Sequence, residues 1–333
     1  MIESKETYET RNTITNPSDF GQVAVMLGGS SSEREISLKS GTAVLEALKL
    51  RGVDAYPWDP NEKSMEVFSK AGFDRVWIAL HGTNGEDGVL QDNLQRLNTP
   101  YTGSGVTASA IAMNKVLSKN LFSSAGIPTP NYVVVNSRKD NLIAAEQFGF
   151  PLIVKPSCQG SSVGMSLVFD KPELNDALDK ALGYGDTVLV EKYIHGDEIT
   201  VSILQGEVLP SIRIITPRIF YDYHAKYESD RTEYICKGTS NDDEEKLYAD
   251  IAINAFQELG CRGWGRVDFM TASDGQPQVL EVNTVPGMTK HSLVPMAAQN
   301  IGIDFTDLCW RILETSFTAN FLDNEIKVSS NGT

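Results

Sequence analysis

The sequence predicts an α/β protein, and two stretches of the chain carry that prediction. From residue 21 to about 115, strands, glycine-rich loops and helices alternate, which is typical of a parallel sheet covered by helices. Near the other end, apolar residues at every second position flank the pair Asp274-Gly275, which indicates an antiparallel hairpin. A chain of 333 residues has room for two or three domains of this kind.

Composition narrows the classes of function. The content of 41% hydrophobic and 22% charged residues is that of an ordinary soluble protein. A formal net charge of -15 argues against nucleic acid or an anionic membrane as a partner, although it is compatible with a locally basic phosphate pocket. No apolar run is long enough to span a membrane, and the polar residues 1–20 predict a flexible leader. Four widely spaced cysteines are typical of reduced thiols in a cytoplasmic enzyme.

The first strand is predicted over 22–27, and the loop Gly28-Gly29-Ser30 leads from it into a helix. This loop lacks the Gly-x-Gly-x-x-Gly pattern, so a dinucleotide site, and with it a dehydrogenase, is not favoured. Glu33 has two interpretations that the local sequence does not separate. It fits a capping box with Ser30, and it also fits a carboxylate that faces a substrate ammonium group.

A second strand is predicted over 75–80, and His81 follows at its carboxyl end. Ligands of α/β folds bind at that edge of the sheet, so His81 is a candidate site residue. A structural histidine satisfies the same pattern equally well.

The middle of the chain contains shorter elements. Strands are predicted over 132–135, 150–156 and 165–169, and Lys155 lies near the end of the second. The small residues of 157–164 would let backbone amides approach phosphate oxygens, with Lys155 as a point charge beside them. A flexible hairpin turn is the alternative, and it would be preferred if this loop stood alone.

Further strands are predicted over 187–194 and 198–204. The backbone of the first could pair with an adenine edge, and Glu198 could accept hydrogen bonds from ribose hydroxyls, but neither role follows from the sequence alone. Segment 220–227 lacks periodicity, and we expect it to cover a site as a loop.

Two helices flank the hairpin. The first is predicted over 242–259, and its expected core positions are Leu247, Ile251, Ala255 and Leu259. The second is predicted over 304–317 and closes the fold, and residues 321–333 are expected to form a flexible tail.

The hairpin brings four polar side chains to one face of its ribbon. If the Asp-Gly pair forms the two central turn residues, Asp268 lies opposite Glu281, and Arg266 lies opposite Asn283. The apolar residues between them would form the core face: Val267, Phe269, Leu280 and Val282.

The two facing carboxylates predict a bound cation. Like charges directly opposite one another destabilise a strand pair, so we expect a cation between them. Carboxylate and amide oxygens are hard ligands that suit Mg²⁺ or Mn²⁺ shared with phosphate oxygens. A solvated acidic face is the alternative, but the apolar opposite face of the ribbon favours the metal.

Six groups of motif residues, in the same order along residues 21 to 317, resemble those of the D-alanine–D-alanine ligase family. They are Gly28-Gly-x-Ser-x-Glu-Arg-Glu35, His81-Gly-x-x-Gly-Glu-Asp-Gly88, Val154-Lys-Pro with Gly160-Ser-Ser-Val-Gly164, Tyr221-Asp-Tyr with Lys226-Tyr227, Gly265-Arg-x-Asp268, and Leu280-Glu-x-Asn-Thr-x-Pro-Gly-Met-Thr-x-His-Ser-Leu293. The resemblance implies the ATP-grasp fold, a three-domain ligase with ATP between the central and C-terminal domains. It also implies that ATP phosphorylates the carboxylate of one D-alanine and that the amine of a second displaces phosphate, which gives a dipeptide for peptidoglycan precursors.

On this basis we expect three domains between the leader and the tail. They are an N-terminal domain over 21–115 with the first D-alanine site, a central domain over 116–200, and a C-terminal metal-binding domain over 201–320. We also expect a homodimer that uses ATP and two Mg²⁺ or Mn²⁺ ions and binds neither nucleic acid nor membrane.

The resemblance implies a role for each motif residue. Glu33 would bind the ammonium group of the first D-alanine, with Ser161 and Tyr227 as hydrogen-bonded partners. Arg266 would stabilise charge on the acyl phosphate and the tetrahedral species. The other D-alanine contacts would be His81, Ser292, Leu293 and the backbone amide of Gly287. The nucleotide contacts would be Lys115, Lys155, Glu191, Lys192, Ile194, Glu198 and Lys226, and the metal ligands would be Asp268, Glu281 and Asn283.

Tyr227 bears on the second substrate. Relatives that join D-alanine to D-lactate resemble this chain but have Phe at the matching lid position, so Tyr favours an amine nucleophile. The alternatives are the D-lactate variant, another ATP-grasp carboxylate–amine ligase, and an ATP-binding protein without activity. Retention of the four polar hairpin residues argues against the last. Cys158, in the phosphate loop, would be a route to inhibition by thiol modification.

Overall fold

The computed structural model describes residues 11, 13–137, 147–217, 231–289 and 291–317. The segment expected to cover the site, with Lys226 and Tyr227, lies outside the described residues, as do residues 1–10 and the predicted tail. None of the helices within the described ranges is long and apolar enough to cross a membrane.

The N-terminal sheet is parallel and three-stranded, in the order β2-β1-β3. Its strands are β1 (Gln22–Met26), β2 (Asp54–Trp58) and β3 (Arg75–Ile78). The apolar run of β1 places it at the centre, buried from Val23 onwards. Strand β2 was not predicted, because Pro57 and its exposed neighbours obscure the signal of an edge strand.

The second sheet is antiparallel, in the order β4-β7-β5-β6. Its strands are β4 (Tyr132–Val135), β5 (Leu152–Pro156), β6 (Ser166–Val168) and β7 (Val188–Lys192). The third sheet is also antiparallel, in the order β11-β10-β8-β12-β13, and β9 pairs with β8. Its strands are β8 (Glu198–Leu204), β9 (Glu207–Val208), β10 (Ile212–Ile215), β11 (Glu233–Cys236), β12 (Trp264–Thr271) and β13 (Pro277–Asn283).

Helices cover these sheets. The described ones are α1 (Arg34–Leu50), α2 (Met65–Phe68), α3 (Val89–Arg96), α4 (Val106–Met113), α5 (Lys115–Ser124), α6 (Lys171–Leu182), α7 (Asp242–Glu258), α8 (Leu293–Asn300) and α9 (Phe305–Glu314). Helices α8 and α9 share a hydrophobic core with the N-terminal sheet, and α4, α5 and α7 share another with the third sheet. The C-terminal end of the chain therefore returns to the N-terminal sheet.

Part of the expected leader is built into this core. Phe20 is fully buried and packs edge-on against Trp310, with ring centroids 4.8 Å apart. Arg11 Nε donates to Glu314 Oε2 at 2.9 Å, and the backbone N–H of Ile14 donates to Glu314 Oε1 at 3.0 Å. The prediction of a flexible leader is wrong for this part of the chain, because the buried Glu314 carboxylate accepts hydrogen bonds from it as well as from Gln205 and Trp310.

The hairpin turn differs from the prediction, but the predicted pairs are confirmed. Thr271 pairs with Pro277, and Ala272 N donates to Gln276 O at 2.9 Å, so three residues, 273–275, form the loop where two were predicted. A bulge at Leu280 offsets the extra loop residue. Arg266 therefore pairs with Asn283, and Asp268 with Glu281.

Because of the same bulge, the predicted core face of β13 is partly wrong. Leu280, the extra residue, turns toward a cavity and leaves the core, and Val279 is fully buried in its place. The predicted face of α7 is also partly wrong, because Leu247 is exposed and its neighbour Tyr248 is buried. Tyr248 packs edge-on against Phe269 of β12 at 5.2 Å, and this contact sets the face of the helix.

Candidate active site

Two cavities meet at the hairpin, and Ser161 and Glu281 line both of them. The larger, of about 380 Å³, lies between the second and third sheets. It contains these predicted residues: Lys115, Lys155, Ser161, Glu191, Lys192, Ile194, Glu198, Asp268 and Glu281. The smaller, of about 50 Å³, contains these: Glu33, His81, Ser161, Arg266, Glu281, Asn283, Gly287, Ser292 and Leu293. Each predicted site residue that the structure describes thus lines one cavity or both.

The larger cavity combines cations with apolar walls. Lys155, near the end of β5, contributes an ammonium group, and Lys115 contributes another from the first residue of α5. Met165 beside the second sheet and Met270 and Leu280 of the third line the same space. A slot with apolar walls and cations suits a flat heterocycle that carries phosphates.

Lys115 connects three parts of the site. Its Nζ donates to Gln159 O at 2.9 Å and lies 3.0 Å from Glu281 Oε2. Burial lowers the pKa of Lys115, but the charge and hydrogen bond of Glu281, with smaller contributions from Glu191 and Cys158, outweigh it, so the pKa lies above its ordinary value. Lys115 therefore remains a cation beside the loop 157–164.

The loop of small residues reaches both cavities through Ser161. Ser161 and Ser162 have φ angles of 49° and 59°, in the left-handed region that residues other than glycine rarely adopt. Such backbone conformations persist where the surroundings hold them, and they concentrate at functional sites.

Side-chain cations already compensate the facing acids of the hairpin. Arg266 donates to both oxygens of Asp268, at 2.7 and 2.8 Å, and Asn283 Nδ2 donates to Asp268 Oδ2 at 2.9 Å. Glu281 pairs with Lys115. Arg266 and Lys115 thus supply cationic charge of the kind expected at the facing acids, and the metal ion at this place stays a prediction.

The donor set nevertheless fits a metal shared with phosphates. No three or more side chains of His, Cys, Asp or Glu in the described part of the chain are grouped to hold a metal ion. The hairpin offers two carboxylates and one amide, Asp268, Glu281 and Asn283, at the junction of the cavities. Mg²⁺ sites completed by phosphate oxygens and water use few protein ligands of this hard type.

Glu33 in the smaller cavity is not engaged in a capping box. It is the residue before α1, its side chain makes no capping hydrogen bond, and Ser161 Oγ donates to its Oε1 in a short hydrogen bond. A Cβ atom on Gly82 would lie 2.7 Å from Glu33 Oε2, and one on Gly160 would lie 3.1 Å from it. The two glycines therefore make room for the carboxylate in the cavity wall.

His81 is both structurally satisfied and part of the smaller cavity. Its Nδ1 lies 2.9 Å from Val285 O and 3.5 Å from Glu86 Oε1, and its Nε2 lies 3.1 Å from Ser40 Oγ. Burial lowers the pKa of His81, but the hydrogen bond and charge of Glu86, with the charge of Glu33, outweigh it and raise the pKa above its ordinary value. The pKa of Glu86 also lies above its ordinary value, because burial raises it and the charge of Glu33 raises it further.

The N-terminus of α8 closes the smaller cavity. Ser292, the residue before the helix, accepts a hydrogen bond from Thr289 N at 2.9 Å. Gly287 and Leu293 line the cavity beside it. The positive end of the helix dipole therefore faces the place where a carboxylate or oxyanion would bind.

Three residues around the cavities were missed as site residues. Glu86 belongs to the motif from His81 to Gly88, but no role in the site was predicted for it. Lys119 lies four residues after Lys115, on the same face of α5, so helical periodicity could have identified it. Ser40 accepts from Met288 N at 3.1 Å besides its contact with His81, and no signal in the sequence connects residues so far apart.

Comparisons with known proteins agree with this geometry. The family model described as "D-ala D-ala ligase C-terminus" matches residues 121–314. D-alanine–D-alanine ligase B of Xanthomonas campestris pv. campestris is 49% identical over 307 residues, which cover 90% of this chain and 96% of that protein. The solved D-alanine–D-alanine ligase of Bacillus anthracis complexed with ATP has a TM-score of 0.80 and 34% identity, and covers 90% of this chain and 98% of its own. VanG D-Ala:D-Ser ligase of Enterococcus faecalis has a TM-score of 0.76 and 28% identity, and covers 89% and 99%.

Proposed function

The chain belongs to the D-alanine–D-alanine ligase family and has its ATP-grasp fold, and we propose that its two cavities form one active site that joins two D-alanines with consumption of ATP. The observation that carries this proposal is that Ser161 and Glu281 line both cavities. The terminal phosphate of a nucleotide in the larger cavity would meet a carboxylate in the smaller one. The dipeptide product serves peptidoglycan synthesis in this family.

The larger cavity is the proposed nucleotide site. The cations of Lys115 and Lys155 would contact the phosphates, with the backbone amides of the loop 157–164. The other predicted nucleotide contacts would surround adenine and ribose: Glu191, Lys192, Ile194 and Glu198. Their place in the cavity and the apolar slot between the sheets support this assignment.

The polar face of the hairpin is the proposed metal site. Asp268, Glu281 and Asn283 would hold two Mg²⁺ or Mn²⁺ ions together with phosphate oxygens. Bound there, the ions would neutralise charge on the transferring phosphoryl group. Arg266 shares Asp268 with this site and lines the smaller cavity, so its guanidinium is placed to stabilise an oxyanion there.

The smaller cavity is the proposed D-alanine site. Glu33 would accept hydrogen bonds from the ammonium group of the first D-alanine while Ser161 fixes the carboxylate. An oxygen of the substrate carboxylate attacks the γ-phosphorus of ATP, and ADP leaves. The amine of the second D-alanine then attacks the carbonyl carbon, loses a proton, and displaces inorganic phosphate. Arg266, the Gly287 amide and the N-terminus of α8 would bind the oxyanion between these events.

Other predictions stay proposals. Tyr227 and Lys226 would belong to a lid that excludes water from the acyl phosphate. We retain the domain division at 21–115, 116–200 and 201–320, which three separate sheets support, although α5 packs on the core of the third sheet. A cytoplasmic homodimer is proposed from the family resemblance.

The function is tested by a coupled assay of phosphate release with ATP, Mg²⁺ and a choice of acceptors. We expect release to depend on D-alanine and to yield one dipeptide per phosphate. D-serine and D-lactate are compared as second substrates, because one structural relative is a D-Ala:D-Ser ligase. Faster ester formation with D-lactate than dipeptide formation would assign the alternative function. ATP consumption without any ligated product would refute both.

A further inference from the structure

A buried lysine lies behind the larger cavity. Lys119 of α5 is fully buried, and its Nζ lies 2.6 Å from Thr129 Oγ1, 3.1 Å from Glu191 Oε1 and 3.3 Å from Pro130 O. The ammonium group also lies 5.3 Å from the centre of the Tyr132 ring. A buried ammonium group is costly unless it is paired and hydrogen-bonded, and these contacts meet that requirement.

The Glu191 carboxylate is shared between two lysines. Oε1 faces Lys119, and Oε2 lies 2.8 Å from Lys155 Nζ. Burial raises the pKa of Glu191, but the charges of Lys119 and Lys155 outweigh it and hold the pKa below its ordinary value. The carboxylate is therefore ionised, and it connects the buried lysine to the lysine that lines the cavity.

Lys119 also connects the second sheet to the third. Thr129, its hydrogen-bond partner, donates from Oγ1 to Val279 O at 2.8 Å. Val279 N in turn donates to Pro128 O at 2.8 Å. Val279 lies on β13, two residues before Glu281, so the contacts of Lys119 extend from the strand with Glu191 to the strand of the acid pair.

We propose that Lys119 is a positioning residue of the nucleotide site, which holds Glu191 and balances its charge so that Lys155 remains available to the nucleotide phosphates. This inference rests on the proposed function of the larger cavity. Two protonated lysines and one ionised carboxylate together carry a net positive charge, which attracts an anion. Without Lys119, Lys155 would be the one cation among the described residues that contacts the Glu191 carboxylate, and this remaining pair would carry no net charge.

The protonation of Lys119 gives the proposal a pH dependence. Burial lowers the pKa of Lys119 to about 8; Glu191 opposes this, and the charges of Lys155 and Lys115 add to it. Burial raises the pKa of Tyr132, and the charge of Glu281 keeps that of Lys115 high, so neither group changes charge near pH 8. Deprotonation of Lys119 above about pH 8 should therefore weaken nucleotide binding, as the replacement of Lys119 by a neutral residue should.

The main test measures binding of an ATP analogue with a non-hydrolysable β–γ link, in the presence of Mg²⁺, to the full chain. Lys119→Met is expected to weaken binding about tenfold at pH 7. Lys70→Met is the matched control, because this lysine is exposed and pairs with Glu66 on the surface, and its binding should equal that of the unchanged chain. In assays of ligation, Lys119→Met should raise the KM for ATP more than it lowers kcat.

Two further measurements do not require that variant to fold. The affinity of the unchanged chain for the analogue should fall as the pH rises from about 7 to 9, because Lys119 then loses its charge. Thr129→Val, which removes one contact of Lys119 and keeps its charge, should weaken binding about threefold.

Equal affinity of folded Lys119→Met and the unchanged chain, or a flat pH profile of the unchanged chain, would overturn the inference. Failure of the unchanged chain to bind the analogue at any pH would instead refute the nucleotide site itself.

Discussion

Different kinds of contact hold the charged side chains of the two cavities in place. Around the larger cavity, buried ion pairs between elements hold the charged groups, as in Lys115 with Glu281 and Lys155 with Glu191. Around the smaller cavity, hydroxyl and backbone groups contribute more of the contacts, as in Glu33 with Ser161 and His81 with Val285, and Glu86 adds a longer contact of 3.5 Å to His81. The first arrangement suits a polyanion, whose negative charges can take the place of the protein carboxylates as partners of the lysines. The second suits a small zwitterion, which needs hydrogen-bonding partners in fixed positions.

The comparison predicts different effects of substitution in the two cavities. Changes at the acid pair should abolish the reaction, because that pair belongs to the junction through which phosphoryl transfer would pass. Changes in the wall of the smaller cavity should affect D-alanine and leave the binding of nucleotide intact.

Asp268→Asn should lower turnover by about a thousandfold or more, because it removes charge that both Arg266 and the proposed metal use. Binding of Mg-ATP should weaken as well, while the thermal unfolding temperature stays close to that of the unchanged chain. Asp274→Asn, in the exposed turn of the same hairpin, is the control and should be fully active. Near-normal activity of Asp268→Asn would remove the hairpin from the mechanism.

Glu33→Gln should lower kcat/KM for D-alanine about a hundredfold, since a neutral amide cannot pair with the substrate ammonium group. Binding of nucleotide should be unchanged, and this separates the two cavities. Glu35→Gln, on the exposed side of the same helix turn, serves as the control. An equal loss of nucleotide affinity in Glu33→Gln would show that the cavities are not energetically distinct.

Gly82→Ala should raise the KM for D-alanine about tenfold, because the new methyl group would displace the Glu33 carboxylate. Gly72→Ala is a close control, since both glycines have positive φ angles, of 70° and 78°, but a Cβ atom at Gly72 meets nothing within 4 Å. Both variants should lose about 1 to 2 kcal/mol of unfolding free energy, because a residue with a Cβ atom is strained at a positive φ angle. If the kinetic constants of the two variants are equal, the carboxylate is not held by the space at Gly82.

Ser40→Ala should have the smallest effect, a loss of about threefold in kcat/KM for D-alanine. The hydroxyl joins His81 to the backbone of Met288, so its loss leaves two buried polar groups without this partner. The pH profile of kcat should shift, because the partner of the imidazole changes. Ser69→Ala, at an exposed hydroxyl, should change neither the rate nor the profile.

The comparison also explains how much the sequence could predict. The pairs Asp268–Glu281 and Arg266–Asn283 are confirmed, but the predicted two-residue turn is not what produces them. The three-residue loop and the bulge at Leu280 shift the register in opposite directions, so their effects on these pairs cancel. Alternation of side chains cannot reveal a bulge, because one extra residue changes the face of only part of a strand.

Contacts between distant segments were the least predictable part of the site. The sequence indicated each strand end that carries Lys155 or His81, but not the partners that arrive from other elements. Lys119 shares a helix face with Lys115 and could have been found from helical spacing. Ser40 contacts His81 only because the fold brings α1 beside the loop after β3, whereas Glu86 belongs to the same loop as His81.

The most direct test of the account follows oxygen atoms through the reaction. D-alanine labelled with ¹⁸O in both carboxylate positions is supplied with unlabelled ATP and Mg²⁺, and the phosphate and dipeptide are analysed by mass spectrometry. If the terminal phosphate of ATP in the larger cavity meets the carboxylate in the smaller one, each phosphate released with a dipeptide carries one ¹⁸O atom. Dipeptide formation with unlabelled phosphate would contradict the proposed junction of the two cavities.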